Sequence, residues 1–215
     1  MEAAAKPTVS ELLLKPKDSV LEFLGCIYEN SPFIAERLFD VYGDSVNWKV
    51  TDVYELFLLL SHIVDIASHD EKLKLLRSHP DLCEKIEKLR TLTQSSQIEQ
   101  SRAGLNSLTD EERSRFTSLN EQYKAKFGFP FILAVRNVTK HTVLSAIEGR
   151  LNLSWDTEFA GALHQVHKIA WMRLLAAFNI TQQKGFLTCH VLDTAQGCPG
   201  TLVRIVRILC SSTFV

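Results

Sequence analysis

The sequence predicts an all-α domain, because apolar residues recur at helical spacing along most of its length. As far as about residue 180, stripes of apolar residues at positions i, i+3, i+4 and i+7 alternate with helix-capping residues and with proline or glycine breaks. The 215 residues are 46% hydrophobic and 23% charged, which is the balance of a globular protein. We therefore expect a compact multi-helix domain followed by a short, incomplete β segment.

Composition argues against several classes of function. The net charge is −1, so no basic excess points to nucleic acid or to an anionic membrane. The longest apolar runs, such as 56–60, are too short to cross a bilayer, and Glu2 stands where a secretory signal carries positive charge. The five cysteines form no CxxC pair, so we expect reduced thiols in an intracellular compartment and no structural zinc site.

Caps and breaks place the first two helices. Residues 18–19 are predicted to cap a helix that carries the apolar stripe of residues 20–27. Pro32 suits the first turn of a second helix over 33–42, and Gly43 is predicted to end it.

The next two helices lead to a conspicuous histidine. Asp52 opens a strongly apolar segment that extends to Ile66 and is predicted to be the most buried helix. His62 inside it is interpreted as a hydrogen-bonded core histidine. A short helix over 71–77 follows and meets the sequence Ser-His-Pro at His79.

In the second half of the domain, residues 95–105 are predicted to form another helix. Thr109, followed three residues later by Glu112, makes a capping box for the next one. Gly128 and the proline two positions after it must end that helix. A short extended piece over 132–135 is predicted to follow.

Two more helices complete the domain, over 140–150 and 157–178. The inward face of the second is predicted to comprise Leu163, Val166, Ala170, Leu174 and Ala177.

The character of the chain then changes. Residues 186–208 are rich in Val, Leu, Ile and Thr and are punctuated by Gly197 and Pro199, which is typical of strand-turn-strand. One strand pair cannot make a stable sheet alone. We therefore expect a helical domain over 9–178, a linker over 179–185 and a fragment over 186–215.

Most of the seven histidines have a structural interpretation. His69 and His141 sit at helix starts among charged residues and are predicted to be solvated. His164 and His167 stand at i, i+3 on the last helix, a spacing that a metal can use. No Asp, Glu or Cys accompanies them at ligand spacing, so we expect no metal site.

His79 is the first candidate for chemistry. It lies at the end of a helix in the sequence HPDL, where Pro80 restrains the backbone just beyond it. A histidine at such a break can project into a cleft, and its pKa suits proton transfer. The alternative is a side chain that only caps the C-terminal end of its helix.

The second candidate is a polar helix face. Ser96, Glu99 and Gln100 share one side at spacing i, i+3, i+4. They offer a hydroxyl, a carboxylate and an amide to a small ring rich in C=O and N–H groups. The alternative is a solvated face close to a helix start.

The third candidate is the segment FGFPFILAVR over 127–136. An aromatic cluster around glycine and proline, followed by an extended piece, leaves backbone N–H and C=O groups that can bind a planar polar ligand. The alternative is a buried connector.

Together and in this order, these motifs resemble one family. The run HPDL, then SxxEQSxAGL, then LNxxYxxKFGFPFIxAVR is similar to the 2-oxo-4-hydroxy-4-carboxy-5-ureidoimidazoline (OHCU) decarboxylases, and Ser96 follows His79 by 17 positions, as in that family. The resemblance spans about residues 9–178. It implies a compact all-α fold, a homodimer, no cofactor and no metal.

The resemblance also implies roles for individual residues. His79 is expected to be the catalytic acid, and Glu99 to hold the hydroxyl or ureido group of the substrate and orient the imidazole. Arg173 corresponds to a family arginine near the site. The expected substrate-binding residues are Pro80, Ser96, Gln97, Ile98, Gln100, Phe131, Ile132, Leu133, Ala134, Val135 and Arg173.

The tail carries a second resemblance. The stretch LTCHVLDTAQGCP over 187–199 is similar to the opening of the transthyretin-like 5-hydroxyisourate hydrolases. This implies that His190 matches a catalytic histidine without its partners, so we expect no hydrolase activity from what looks like a truncated or alternatively spliced fusion.

Two other functions stay open at this point: residual isourate hydrolysis by the tail, and a non-catalytic helical scaffold. The family resemblance implies a peroxisomal location. The chain ends in STFV rather than in a peroxisomal SKL-type signal, and a form without such a signal is expected in the cytoplasm.

Overall fold

The computed structural model describes residues 5–82, 108–135 and 139–180 in full, and the backbone of residues 192–193 and 198–199. The chain divides into two compact units, Met1–Thr181 and Gln182–Val215. Within the described part of the first unit the helices are α1 (Val9–Leu13), α2 (Lys17–Gly25), α3 (Phe33–Tyr42), α4 (Val53–Asp65), α5 (His69–Arg77), α6 (Asp110–Phe127), α7 (Lys140–Leu151) and α8 (Trp155–Ala177), with a 3-10 turn at Ser45–Asn47. The all-α prediction is confirmed.

Side-chain caps fix where most of these helices begin. Thr8, Ser68 and Thr109 each form a complete capping box with a glutamate three residues later. Asp52 accepts a hydrogen bond from the Glu55 N–H at the start of α4, and Ser154 caps α8 in the same way through the N–H of Thr157. The predictions for Asp52 and Thr109 are confirmed.

The start of α2 was predicted wrongly. The helix begins at Lys17, directly after Pro16, so residues 18–19 lie in its first turn rather than capping it. Proline at a helix start loses no hydrogen bond, because the first N–H groups of a helix have no intrahelical partner.

The core is formed by the inner faces of α2, α3, α4, α6, α7 and α8. The long helix α8 packs against α4, α5 and α6, while α3 packs against α4 and α6 against α7. Ala162, Val166, Ala170 and Leu174 of α8 are buried, whereas Leu163 and Ala177, which the sequence placed inside, are only half-buried.

Helix α4 is buried on one face only, which contradicts the prediction for His62. Leu56, Leu60 and Ile63 are fully buried, but Tyr54 and Leu58 are 48% and 45% exposed. His62 continues that outer stripe at spacing i+4 and is exposed. Apolar residues occupy both the buried and the exposed face of this helix, so hydrophobicity alone did not identify which face lies inside.

The second unit has little described structure. Strands β1 (Leu192–Asp193) and β2 (Cys198–Pro199) pair antiparallel within the stretch for which the sequence predicted strand-turn-strand. Among the described residues, no helix is both long and apolar enough to cross a lipid bilayer.

Candidate functional site

His79 is held at the C-terminal end of α5. Its side chain is buried, at 7% exposure, and its Nδ1 lies 2.9 Å from the carbonyl oxygen of Leu75. A carbonyl can only accept, so Nδ1 carries a hydrogen and donates it, which leaves Nε2 as the ring nitrogen that can gain or lose a proton. The capping role that the sequence offered as an alternative is therefore present, and it directs any proton exchange to Nε2.

The residues after His79 are anchored to α6. Asp81 is buried, and both of its carboxylate oxygens accept from the Asn120 Nδ2, at 3.0 and 2.9 Å. The Lys124 ammonium lies 2.7 Å from the same carboxylate. Buried charges of this kind need such partners. The HPDL loop, with Pro80 half-buried in it, is therefore fixed from a second helix.

A hydrogen-bond chain joins this loop to Arg173. The Ser78 hydroxyl lies 2.8 Å from the carbonyl oxygens of both Leu75 and Glu29. The Glu29 carboxylate pairs with the Arg173 guanidinium, which also donates to the carbonyls of Cys26 and Ile27 at 3.3 and 3.2 Å. Arg173 is therefore linked to the HPDL loop through Glu29, and both of its terminal nitrogens already donate to protein groups.

The segment after α6 turns sharply and returns toward α5. Gly128 adopts a left-handed conformation, with φ of 76°, that glycine tolerates best. Its carbonyl accepts a hydrogen bond of 3.0 Å from the Arg77 Nε. This bond connects the aromatic segment to Arg77, two positions before His79.

The residues that follow form a strip, which we define as Phe131, Ile132, Leu133, Ala134 and Val135. The strip forms neither helix nor strand, so the extended piece predicted over 132–135 has no strand pairing among the described residues. Phe131 is buried edge-on against the Tyr123 ring, with a centroid separation of 5.2 Å. Phe127 and Phe129 contact the same tyrosine.

A buried ion pair that sequence reasoning missed lies behind the strip. Glu158, fully buried in the first turn of α8, pairs with Arg150 of α7 and accepts a hydrogen bond from the Tyr123 hydroxyl. The Arg150 Nε lies 2.9 and 3.0 Å from the two carboxylate oxygens. Burial raises the pKa of Tyr123. A glutamate among the apolar positions of a helix was the available signal.

Two backbone groups of the strip are bound by protein side chains. The Ile132 carbonyl accepts from the Arg150 guanidinium at 2.7 Å, and the Ala134 N–H donates to the Gln165 side-chain oxygen at 3.2 Å. The sequence predicted that the backbone N–H and C=O groups here would be free, so fewer of them are available to a ligand than the motif suggested.

The remaining predicted site residues lie outside the described residues. Ser96, Gln97, Ile98, Glu99 and Gln100 all fall within 83–107. Their proposed contacts with a substrate stay predictions.

The last helix contains a second polar contact. His167 is half-buried, its Nδ1 lies 2.9 Å from the buried Tyr28 hydroxyl, and its Nε2 lies 3.8 Å from Asp65. Burial lowers the pKa of His167. Sequence spacing did not reveal Asp65, because it lies on α4. Within the described ranges, no three His, Cys, Asp or Glu side chains come together as a metal site.

This arrangement contains groups that are suited to proton transfer and to holding a small polar ring. The described part provides one buried imidazole with a fixed tautomer, one arginine joined to its loop, and a strip of backbone held by side chains. These are the components of general acid catalysis on a small polar ring.

Comparison with known proteins gives consistent matches. The family model of the OHCU decarboxylases matches residues 15–175. The 2-oxo-4-hydroxy-4-carboxy-5-ureidoimidazoline decarboxylase of Haloferax volcanii is 39% identical over 162 residues, which are 75% of this chain and 90% of that protein.

Two solved structures resemble the fold. A crystal structure of (S)-allantoin synthase matches with a TM-score of 0.69 at 46% identity, covering 89% of this chain and 62% of that one. This chain therefore spans less than two thirds of that protein. A crystal structure of OHCU decarboxylase in the presence of (S)-allantoin matches with a TM-score of 0.52 at 21% identity, covering 68% of this chain and 90% of that one. At that identity the likeness concerns the fold alone.

Proposed function

Because this chain belongs to the OHCU decarboxylase family, we propose that it is a carboxy-lyase that converts OHCU to (S)-allantoin and CO2 in urate breakdown. The observation that carries this proposal is the buried His79, whose Nδ1 is committed to the Leu75 carbonyl in a loop anchored from α6. Such a histidine exchanges its proton at one nitrogen only.

The substrate itself accounts for the electrons of the reaction. The carbon that carries the carboxylate also carries a hydroxyl and adjoins a ring C=N bond. When the bond to the carboxylate breaks and CO2 leaves, its electron pair forms a C=C bond with the neighbouring carbon. The C=N pair moves to the ring nitrogen, which takes up a proton. No electron-accepting cofactor is required for these steps.

His79 acts on the enol that results. The enol hydroxyl gives up its proton as the C=O bond forms, and the neighbouring carbon receives one proton. Because the hydrogen on Nδ1 is donated to the Leu75 carbonyl, Nε2 must first take up a proton, from solvent or from the enol hydroxyl. Its delivery from Nε2 to one face of the ring then sets the (S) configuration. A positioned general acid of this kind contributes about 10² to 10⁴ in rate.

The other predicted residues orient the ring. Glu99 holds the hydroxyl or ureido group, and Ser96, Gln100 and the strip bind the ring edges. Support for these roles comes from the motif spacing between His79 and Ser96 and, for the strip, from the side chains that restrain it. Fixing a reactant against its acid lowers the barrier by removing orientational freedom.

Arg173 contributes through the loop as well as through its charge. Its pairing with Glu29, whose carbonyl lies beside the Ser78 hydroxyl, supports a role in setting the position of the catalytic loop. A guanidinium near an anionic substrate also favours binding of its carboxylate.

Circular dichroism tests the reaction directly. OHCU is generated in situ from urate, and the protein is added while the optical signal of the product is followed. Faster appearance of (S)-allantoin than in buffer supports the proposal. A folded protein that leaves the slow, racemic reaction unchanged would refute it and favour the scaffold alternative.

Three finer expectations rest on family or motif resemblance alone. A homodimer is tested by measuring the mass of the protein in solution with analytical ultracentrifugation. A peroxisomal location is tested by imaging the tagged chain in cells. The hydrolase-like tail is expected to be inactive, and 5-hydroxyisourate loss at the buffer rate would agree with that expectation.

A further inference from the structure

The conformation of the strip depends on side chains from other helices. Residues 131–135 form neither helix nor strand, so no regular hydrogen-bond ladder holds their peptide groups. Buried backbone groups require partners of some kind. The partners found here come from α7 and α8.

The first anchor is Arg150. Its guanidinium donates to the Ile132 carbonyl at 2.7 Å and lies 4.7 Å from the centre of the Phe131 ring. Glu158 holds the guanidinium through both carboxylate oxygens, at 2.9 and 3.0 Å from Nε. A paired arginine has little rotational freedom. It therefore fixes the carbonyl that it binds.

The second anchor is Gln165. Its side-chain oxygen accepts the Ala134 N–H at 3.2 Å. Gln165 follows Glu158 by seven residues, two turns along α8, so both project from the same face of that helix. One rigid helix thus positions the strip at two points on either side of Leu133.

We propose that Arg150, Glu158 and Gln165 are positioning residues that set the peptide groups of the strip for the substrate ring. The inference rests on the proposed function, because the strip is assigned to the substrate site by that function. A shift at either anchor rotates the peptide groups of Leu133, which lies between them. The side chains themselves need not touch the substrate.

Gln165 offers a cleaner test than Arg150. Arg150→Ala leaves the Glu158 charge buried without its partner and is expected to impair folding. Gln165→Leu removes only the acceptor for Ala134, whereas Gln165→Glu keeps an acceptor at the same place. Gln122→Leu is the matched control, because Gln122 is exposed on α6 and bonds only Ser118 among the described residues.

Steady-state kinetics and amide exchange are measured on the full chain after helical circular dichroism shows that each variant folds. We expect Gln165→Leu to raise KM about tenfold while kcat stays within about threefold of the parent value, because the variant loses one hydrogen bond that positions the strip. The Ala134 amide should exchange faster in that variant. Gln165→Glu should restore KM, and Gln122→Leu should leave it unchanged.

Two results would overturn the inference while the proposed function stands: parental KM in Gln165→Leu, or a Gln165→Glu variant as impaired as Gln165→Leu. A parent protein that does not accelerate OHCU decarboxylation would refute the proposed function, and the inference with it. The parent's own activity therefore separates the two failures.

Discussion

At the scale of single residues, His79 combines a structural role with the chemical role proposed for it. Its Nδ1 caps the last turn of α5 at Leu75, which fixes the tautomer and assigns proton exchange to Nε2. A side chain with both roles is expected to affect catalysis much more than stability, because one capping bond contributes only about 0.5–1.5 kcal/mol.

His79→Ala is predicted to lower kcat by about 10² to 10⁴, with a much smaller change in KM. The physical reason is that the proton is delivered in the transition state, whereas the ring is bound by other groups. Stopped-flow circular dichroism of (S)-allantoin formation measures the rate. An unchanged rate in the variant would mean that His79 only caps its helix.

Glu158 links α8 to α7 through a buried ion pair. Its carboxylate is fully buried and paired with Arg150, whose side chain is 15% exposed. Burying such a pair requires the desolvation of both charges, so removing one partner leaves the other charge buried without compensation.

Glu158→Gln is predicted to reduce the free energy of unfolding by about 3–5 kcal/mol, because the Arg150 charge stays buried without its counter-charge. Urea unfolding monitored by circular dichroism measures the loss. Glu148→Gln is the matched control: Glu148 pairs with Arg115, which is 63% exposed, so its change should be about 0–1 kcal/mol. Equal losses in the two variants would contradict this account.

At the scale of elements, the ends of helices position the candidate site. α5 ends at Arg77, two residues before His79, and α6 ends at the start of the aromatic segment. Arg77 donates to the Gly128 carbonyl just beyond α6. The residues that terminate these helices therefore determine where the HPDL loop and the strip begin.

Gly128→Ala is predicted to destabilise the protein by about 1–2 kcal/mol, because its φ of 76° is unfavourable for a residue with a side chain. The added methyl meets only the end of Arg77, at 3.6 Å, so backbone strain is the cause. Gly149→Ala is the control within α7, where nothing lies within 4 Å, and it should stabilise by about 0.5–1 kcal/mol. Thermal unfolding distinguishes the two signs.

The start of α5 makes stability depend on pH. The Arg37 side chain and the Ser68 cap hold the pKa of Glu71 down to about 2, from an ordinary value of 4.5. Since the folded-state pKa lies below the unfolded one, the contribution of Glu71 is complete above pH 4.5 and is lost as pH falls toward 2.

Glu71→Gln is therefore predicted to lower Tm by a constant amount between pH 5 and 7, and by progressively less below about pH 4.5. Melting curves of parent and variant across this range measure the difference. Asp70→Asn changes a fully exposed carboxylate in the same turn and serves as the control, with a smaller change in Tm. A difference that persists unchanged to pH 3 would contradict the predicted linkage.

At the scale of the whole molecule, the described hydrophobic core lies entirely within the first unit. It extends from Val9 to Phe178 and includes the inner faces of every long helix described. The contact between the two chain ends of this unit is also internal, because the Asn179 N–H donates to the Pro7 carbonyl at 2.9 Å.

A chain ending at Thr181 is therefore predicted to keep the helical circular dichroism signal, the Tm to within about 3 °C, and the decarboxylase activity of the parent. A change of 1 kcal/mol shifts Tm by about 2–4 °C in a domain of this size. Parallel melting and activity assays of the two chains provide the comparison. A truncated chain that loses activity would show that residues beyond 181 contribute to the site.

Local sequence features determined the helices and the order of the motifs. A cap at Asp52 or Thr109 and an apolar stripe each depend on residues within four positions of one another, and such signals survive in any tertiary context. The break at Gly128 follows from local sterics in the same way. The resemblance to the decarboxylases came from motifs of this kind.

Only the tertiary structure decided which side chains meet. Arg173 pairs with Glu29 across 144 positions, Tyr28 bonds His167 across 139, and Tyr123 bonds Glu158 across 35. The same limit explains the error at His62, since the sequence of an apolar helix does not show which of its faces a neighbouring helix covers. Periodicity specifies positions along one helix, whereas these contacts depend on how separate helices pack, and no local pattern contains that information.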